Sequence, residues 1–390
     1  MPGRMRPEGT KPERLQDAKR VVIKIGSALL VNQASGRLHR KWLDSLTDDV
    51  AAMIAGGQEV LIVSSGSIAL GAPHLGLKFR HHNLDESQAA AAVGQIRLAH
   101  AYEESLGRHG LTVAQILLTA SDTEQRRRYL NARGTITRLL AGGAVPVINE
   151  NDTVATSEIC FGDNDRLAAR VAQMISADCL VLLSDVDGLY TADPEACPDA
   201  ALIPEVPAIT AEIEAMAGKP RQIGVGSGGM ITKIAAARIA TAAGCHMVIM
   251  SGVRRAPLSA FAADGRGTWF AASGLCPQNA RKQWIGGTLS PAGALTIDDG
   301  AVRALRNGGS LLPAGITHLD GSFARGDVVV IRDRQNREIA RGLSAYSDRD
   351  ARRIMGHNSR DIERLLGYRG ADELIHRDNL VLTPTRGDQD

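Results

Sequence analysis

The sequence predicts an α/β fold, an open and mainly parallel sheet sandwiched by helices, followed by a small β-rich domain. Three observations predict it. Short apolar runs alternate with segments of helical spacing from Val21 to Met250. Polar clusters stand just after several of those runs, where an open α/β sheet binds its ligands. After about Trp269 the texture changes to short strands and turns punctuated by glycine.

The elements follow in order. Residues 1–19 read as a solvated arm. Val21 to Val31 (VVIKIGSALLV) reads as a buried parallel strand that Gly26 breaks into a loop. Arg40 to Ala55 spaces Trp42, Leu43, Leu46, Val50 and Met53 as one helix face, and Gly56-Gly57 stops it. Glu59 to Val63 is a second strand, running into Ser64-Ser65-Gly66-Ser67. Ala89 to Tyr102 and Thr123 to Leu140 have helical spacing, with a strand at Val113 to Leu118 between them. Ala144 to Ile148 is a strand ending at Asn149-Glu150-Asn151-Asp152. A helix over Asp165 to Ile175 leads to the strand Cys179 to Leu183, which ends at Ser184-Asp185. A helix over Met230 to Ala243 and a strand over His246 to Met250 close the series. Residues 271–290 read as a linker. Strands over Ala294 to Ile297, Asp327 to Ile331 and Glu338 to Leu343 then form the second domain.

Composition narrows the function. The 390 residues carry 45 Lys+Arg and 43 Asp+Glu, a net charge of +2. That balance argues against gripping nucleic acid by global charge. Glycines number 41 and aromatics make up 3%, which suits turns around phosphates better than base-stacking surfaces. No run of about 18 apolar residues occurs, so no membrane span is expected. The stretch Met1 to Arg20 is charged, contains Pro2, Pro7 and Pro12, and lacks the apolar core of a signal peptide. Cys160, Cys179, Cys197, Cys245 and Cys276 contain no CxxC pair. Together these features place the protein in the cytoplasm.

Several motifs can carry chemistry. Gly224 to Lys233 (GVGSGGMITK) is a glycine loop opening a helix, where backbone N–H groups and the helix N-terminus favour an anion. Its glycines formally match GxGxxG, but no strand precedes them and no acid follows from Met230 until Asp264. It is not a P-loop either. The plainer alternative is a surface loop. Lys24 lies inside an apolar strand, where a lysine is costly unless it meets an anion. With Lys233 it would put two cations on a transferring phosphoryl group. Asn149-Glu150-Asn151-Asp152 and Gly162-Asp163-Asn164-Asp165 suit turns and helix caps. An Asn/Asp pair also suits the ammonium of an amino acid, and an aspartate between two lysines would orient both. Ser65-Gly66 offers a hydroxyl and N–H donors to a carboxylate. His81-His82 reads as a polar loop, and no histidine or cysteine set has metal spacing.

These residues resemble the bacterial glutamate 5-kinases, a family of the amino-acid kinase superfamily. The matching pieces are VVIKIGSALL (21–30), VSSGSIALG (63–71), AAVGQIRL (91–98), YLNARGT (129–135), PVINENDTVAT (146–156), FGDNDRLAA (161–169), LLSDVDGLYTADP (182–194) and GSGGMITK (226–233). GSLLPAGI (309–316) and GSFARGDVVVI (321–331) resemble a PUA domain. The resemblance implies an arm at 1–19, an amino-acid kinase catalytic domain at 20–270, a linker at 271–290, a PUA-like domain at 291–384 and a tail at 385–390. It implies transfer of the γ-phosphoryl group of ATP, with Mg²⁺ on its phosphates, to the side chain of L-glutamate, opening proline synthesis. By the same resemblance Lys24, Asp165 and Lys233 are catalytic, and Ser65, Asp152 and Asn164 bind glutamate. Lys24, Ser184, Asp185 and the run Gly226, Ser227, Gly228, Gly229, Met230, Ile231, Thr232 and Lys233 bind ATP. Ser184 departs from the threonine expected there and keeps the hydroxyl. A homo-oligomer, dimer or tetramer, is also implied.

The sequence leaves two alternatives. One is a sister kinase with another carboxylate or phosphate acceptor, which the NEND/GDND pair and the appended domain oppose. The other is RNA binding through the C-terminal domain. Residues 291–390 hold 15 Arg, no Lys and 15 Asp+Glu, so the usual electrostatic footprint is missing.

Overall fold

A computed structural model describes residues 15–32, 35–77, 83–154, 164–218, 229–272 and 291–383. The chain divides into two units, 1–277 and 278–390. The first is built on an eight-stranded sheet. Its strands are β1 (Arg20–Ile25), β2 (Glu59–Ser64), β3 (Val113–Leu118), β4 (Val145–Glu150), β5 (Cys179–Ser184), β6 (Glu205–Val206), β7 (His246–Ser251) and β8 (Gly267–Phe270). Their order across the sheet is β6-β8-β7-β5-β1-β2-β4-β3. All neighbours are parallel except β7 and β8.

Strand periodicity builds two cores, one on each face. Val22, Leu61, Val63, Leu180, Leu182, Met247 and Ile249 face one core, with Ala168, Ala172, Ile234 and Ala237. Val21, Ile23, Val60, Ile62, Val181, Val248 and Met250 face the other, with Trp42, Leu43, Leu46, Leu98 and Tyr102. Alternate side chains of a strand point to opposite faces, so a strand buried on both sides reads as one apolar run. Lys24 has the parity of Val22. It therefore lies on the face covered by the helices Asn164–Met174 and Met230–Ala242.

The chain leaves β1 for β2 on one side and later returns to β5 on the other. Their carboxyl ends are thus a switch point, where the loops diverge and leave a crevice.

Most expected elements stand within a residue or two of their places. The exceptions have local causes. The first apolar run ends as a strand at Ile25, and Ser27–Leu30 is one helical turn. The expected helix over 123–140 is two, Ala120–Glu124 and Arg126–Ala141. Thr119 starts the first with a capping box to Asp122, and Gln125 is extended between them. A capping box between Asn83 and Glu86 also starts the next helix early, so it spans Leu84–Gly107. Strand β8 lies where no strand was expected. It is four residues long and begins with a glycine whose Cβ would strike the Ile249 carbonyl oxygen.

The second unit holds a five-stranded sheet. Its strands are β9 (Gly293–Ile297), β10 (Ile316–Gly321), β11 (Val328–Arg332), β12 (Glu338–Leu343) and β13 (Leu380–Leu382), ordered β10-β9-β11-β12-β13. Helices Asp299–Arg306, Asp348–Ile354 and Ile362–Leu366 accompany it, and Leu295, Ile331, Ile354 and Leu374 share its core. Strands β10 and β13 escaped the sequence reading; β10 alternates only weakly and β13 has three residues. Among the described residues, no helix is long and apolar enough to cross a membrane.

Candidate active site

The site gathers at the switch point. Lys24 is the last but one residue of β1 and Asp165 stands in the first turn of its helix, after Asn164. Lys233 stands one turn into the helix that Gly229 starts. The ammonium of Lys24 lies 2.6 Å from Asp165 Oδ1, and that of Lys233 lies 3.3 Å from Oδ2. The Thr232 hydroxyl donates to the same Oδ2 at 3.0 Å. All three charged groups are buried, at 8%, 1% and 6% exposure. Burial alone would push the Asp165 carboxyl up, but Lys24, Lys233 and Thr232 together hold it below the usual carboxylate range. One carboxylate between two ammoniums leaves a net positive cluster at the crevice.

A second network extends from this centre toward β4. The Asn164 amide nitrogen donates to the Ser65 hydroxyl at 2.7 Å, and is shared with the Ser64 carbonyl and Asn149 Oδ1, both at 3.1 Å. The oxygen of Asn149 also accepts the Glu150 N–H at 2.9 Å, and its nitrogen donates to Gln95 Oε1 at 2.7 Å. The Ser67 hydroxyl donates to Asp152 Oδ2 at 3.1 Å. Burial pushes the Asp152 carboxyl up to about 6, with Ser67 opposing. Asn164 Oδ1 is buried and accepts no hydrogen bond from the described residues. A buried amide oxygen left open is costly, and a ligand donor is the usual remedy.

The turn after β2 is shaped for this purpose. Gly66 has a φ of 107°, in the left-handed region that favours glycine, and lets the backbone swing into the Ser67–Gly71 helix. Ser65 accepts from Asn164, so its own hydroxyl hydrogen can point into the crevice.

Ser184 and Asp185 stand at the end of β5, on the other side of β1. The Ser184 hydroxyl donates to Asp185 Oδ1 at 2.9 Å, and the Ser184 carbonyl accepts the Gly252 N–H at 2.7 Å.

The structure thus brings Lys24, Asp165, Lys233 and Thr232 into one cluster and links Ser65 and Asn164 directly. Asp152 belongs to the same network through Ser67 and Asn149. Gly229 is the N-cap of the Met230–Ala242 helix, whose first residues are Met230, Ile231 and Thr232. Gly226, Ser227 and Gly228 lie outside the described residues, as do His81 and His82. Sequence reasoning missed three members: Ser67, Gln95 and Asn149. Asn149 and Ser67 stood in polar clusters already singled out. Gln95 had no signal beyond its place in the AAVGQIRL segment.

No group of three or more His, Cys, Asp or Glu suited to a metal occurs among the described residues. Both oxygens of Asp165 are engaged by cations and a hydroxyl, so it offers no vacant corner to a metal. These donors do not fit a resident cation.

The chain is similar to known proteins over both units. The amino acid kinase family profile matches residues 19–251, and a PUA domain profile matches residues 293–366. A glutamate 5-kinase of Paramagnetospirillum magneticum (strain ATCC 700264 / AMB-1) is 58% identical over 368 residues, covering 94% of this chain and 99% of that protein. A glutamate 5-kinase of Rhodopseudomonas palustris (strain BisB5) is 57% identical over 377 residues, covering 96% and 99%. Among solved structures, a UMP kinase from Ureaplasma parvum aligns with a TM-score of 0.45 at 16% identity, over 65% of this chain and 98% of that one.

Proposed function

This chain belongs to the amino acid kinase family and, within it, to the glutamate 5-kinases, and from that premise we propose how its residues divide the work. The reaction transfers the γ-phosphoryl group of ATP to the side-chain carboxylate of L-glutamate, giving γ-glutamyl phosphate. A carboxylate oxygen attacks the γ-phosphorus as the bond to the β–γ bridging oxygen breaks, and ADP leaves with that oxygen. The attacking carboxylate is already ionised near neutral pH, so no general base is needed. Catalysis then rests on alignment and on neutralising charge across the phosphoryl oxygens.

The observation that carries this reading is the pair of buried ammoniums on one carboxylate. Asp165 fixes Lys24 and Lys233 on two adjoining elements and compensates their burial while the crevice is empty. An ammonium carries three N–H donors, so Lys24 can hold Asp165 and a phosphate oxygen at once. Charge that develops on the transferring group meets donors already in place, which costs no reorganisation during the step. On the acceptor side, Asn164 Oδ1 and the Asp152 carboxylate take the substrate ammonium, and Ser65 with the neighbouring backbone takes a substrate carboxylate. Ser184 and Asp185 position the nucleotide, together with the glycine loop. Mg²⁺ arrives on the ATP phosphates as part of that substrate. Assembly as a dimer or tetramer is part of the same reading, and native mass measurement tests it.

Turnover of ATP with glutamate, aspartate and N-acetylglutamate side by side tests the assignment, with hydroxylamine trapping the acyl phosphate. Hydroxamate should form with glutamate and fall to background with the other two. Equal trapping with aspartate or N-acetylglutamate would defeat the substrate assignment.

A further inference from the structure

We propose that Gln95 is a positioning residue: it holds the Asn149 amide in one orientation, and through it keeps the open oxygen of Asn164 aimed at the substrate ammonium. The inference rests on the glutamate site described above.

The backbone shows why a residue on the Leu84–Gly107 helix can reach that far. A Cβ on Gly94 would lie 1.7 Å from the Ser67 carbonyl oxygen, and one on Gly71 would lie 1.8 Å from the Ala90 carbonyl oxygen. The helix therefore rests backbone to backbone against Ser67–Gly71, an approach that only glycine permits. Gln95, the residue after Gly94, is carried to the edge of the site, and its Oε1 accepts from Asn149 at 2.7 Å.

A terminal amide has a donor end and an acceptor end, and its surroundings decide which faces where. The Glu150 N–H can only donate, so it draws Asn149 Oδ1 toward itself. The Asn149 nitrogen then faces the opposite way, and Asn149 is 2% exposed. Gln95 supplies the acceptor there. The other contact of that nitrogen, to the Ser67 hydroxyl, is long at 3.4 Å.

The orientation propagates. With Asn149 Oδ1 facing Asn164, the Asn164 nitrogen turns inward to Asn149, Ser64 and Ser65. Its oxygen is left open. If Asn149 turned over, donor would face donor, and Asn164 would have to turn as well. Its amide hydrogens would then face an ammonium. The effect falls on glutamate, because the Lys24–Asp165–Lys233 cluster shares none of these bonds.

The test is Gln95→Leu against Gln95→Glu, which keeps the length and an acceptor oxygen. Gln95→Leu should raise KM for glutamate roughly tenfold, because losing a bias of about one hydrogen bond lets the Asn149 and Asn164 amides turn over, with KM for ATP unchanged and Tm lowered by no more than a few degrees. Gln95→Glu should return KM to within about threefold of the wild type. If Gln95→Leu does not fold, Gln95→Asn carries the same expectation, since its amide is one methylene too short. A folded Gln95→Leu or Gln95→Asn enzyme with unchanged KM for glutamate would overturn the proposal. So would a Gln95→Glu enzyme as impaired as the truncated side chains. Asn164→Ala, measured alongside, separates the two readings. Unchanged KM for glutamate in that variant would sink the glutamate site itself, whereas a raised KM there with a silent Gln95→Leu would sink only the relay.

Discussion

The two units bury polar groups for different ends. In the second unit the buried polar residues, among those described, are Asp333 and Ser344. Asp333 accepts from the backbone of Gln335 and Arg337 and from the Arg337 guanidinium, and Ser344 donates to the Tyr346 carbonyl. Both close a local turn upon itself. In the first unit, Lys24, Asn149, the adjacent pair Asn164 and Asp165, and Lys233 are buried on four separate stretches of chain, and the Asn164 amide oxygen among them accepts no hydrogen bond from the described residues. Buried polar groups that satisfy one another locally hold a fold in place. Buried charges that converge from distant segments, at a net positive balance, await a partner of opposite charge. The difference supports the proposal that the chemistry belongs to the first unit.

The sharpest way to break this comparison is to remove one ammonium. Lys24→Met or Lys233→Met should lower kcat by about 10²–10³-fold, some ~3–4 kcal/mol, as when one preorganised donor is lost from a transition state. Each variant leaves Asp165 one lysine, so the fold should persist. A Lys24→Met enzyme with near-normal kcat would mean that the buried cluster is structural, as Asp333 is.

The next effect divides the site in two. Asn164→Ala and Asp152→Ala should raise KM for glutamate by on the order of tenfold or more and leave KM for ATP nearly unchanged. Ser184→Ala and Asp185→Ala should do the reverse. Steady-state kinetics on both substrates decide it, and equal shifts in both constants would erase the partition.

A third effect comes from pH. Burial raises the Asp152 carboxyl to about 6 in the unliganded site, and pairing with an ammonium requires its ionised form. A proton and the substrate therefore compete. KM for glutamate should be flat above neutrality and rise as pH falls through 6, by about tenfold between pH 7 and 5. The sign follows from the raised value: the group is already part-protonated at a pH where an ordinary aspartate is fully ionised. Asp152→Asn should flatten the profile, and a profile unchanged by that substitution would assign the titration elsewhere.

Much of this was legible in the sequence because the sheet is buried on both faces. Its strands then read as unbroken apolar runs, and a lysine inside one, Lys24, stands out at once. The Asp165 and Lys233 partners were legible as residue types, but their contact depends on the packing of two alanine-rich helices over one face of β1. Gln95 was not legible, because the place that its proposed role needs is set by backbone contact at Gly71 and Gly94. A pair of glycines on different helices carries no local signal of meeting. Strands β6 and β8 failed for another reason: two and four residues are too few to show a period, and the sheet edge supplies their order.

The smallest expected effect is the test of the second unit. The groups proposed to hold ATP or glutamate lie between Lys24 and Lys233, and the buried polar groups beyond Gln278 are satisfied within their own turns. A chain ending near Trp284 should keep its Tm within a few degrees and its kcat for glutamate phosphorylation within about threefold, since no transition-state donor is removed. The second unit alone has its own core of Leu295, Ile331, Ile354 and Leu374, and should bind neither ATP nor glutamate in calorimetry. Assembly is the property most open to change, because an appended module can act on it without touching the chemistry. A shortened chain that is well folded, with a sharp thermal transition, yet inactive would show that the second unit completes the active site. The locally closed turns at Asp333 and Ser344 would then have been a poor guide to function, and the division of labour between the units would have to be redrawn.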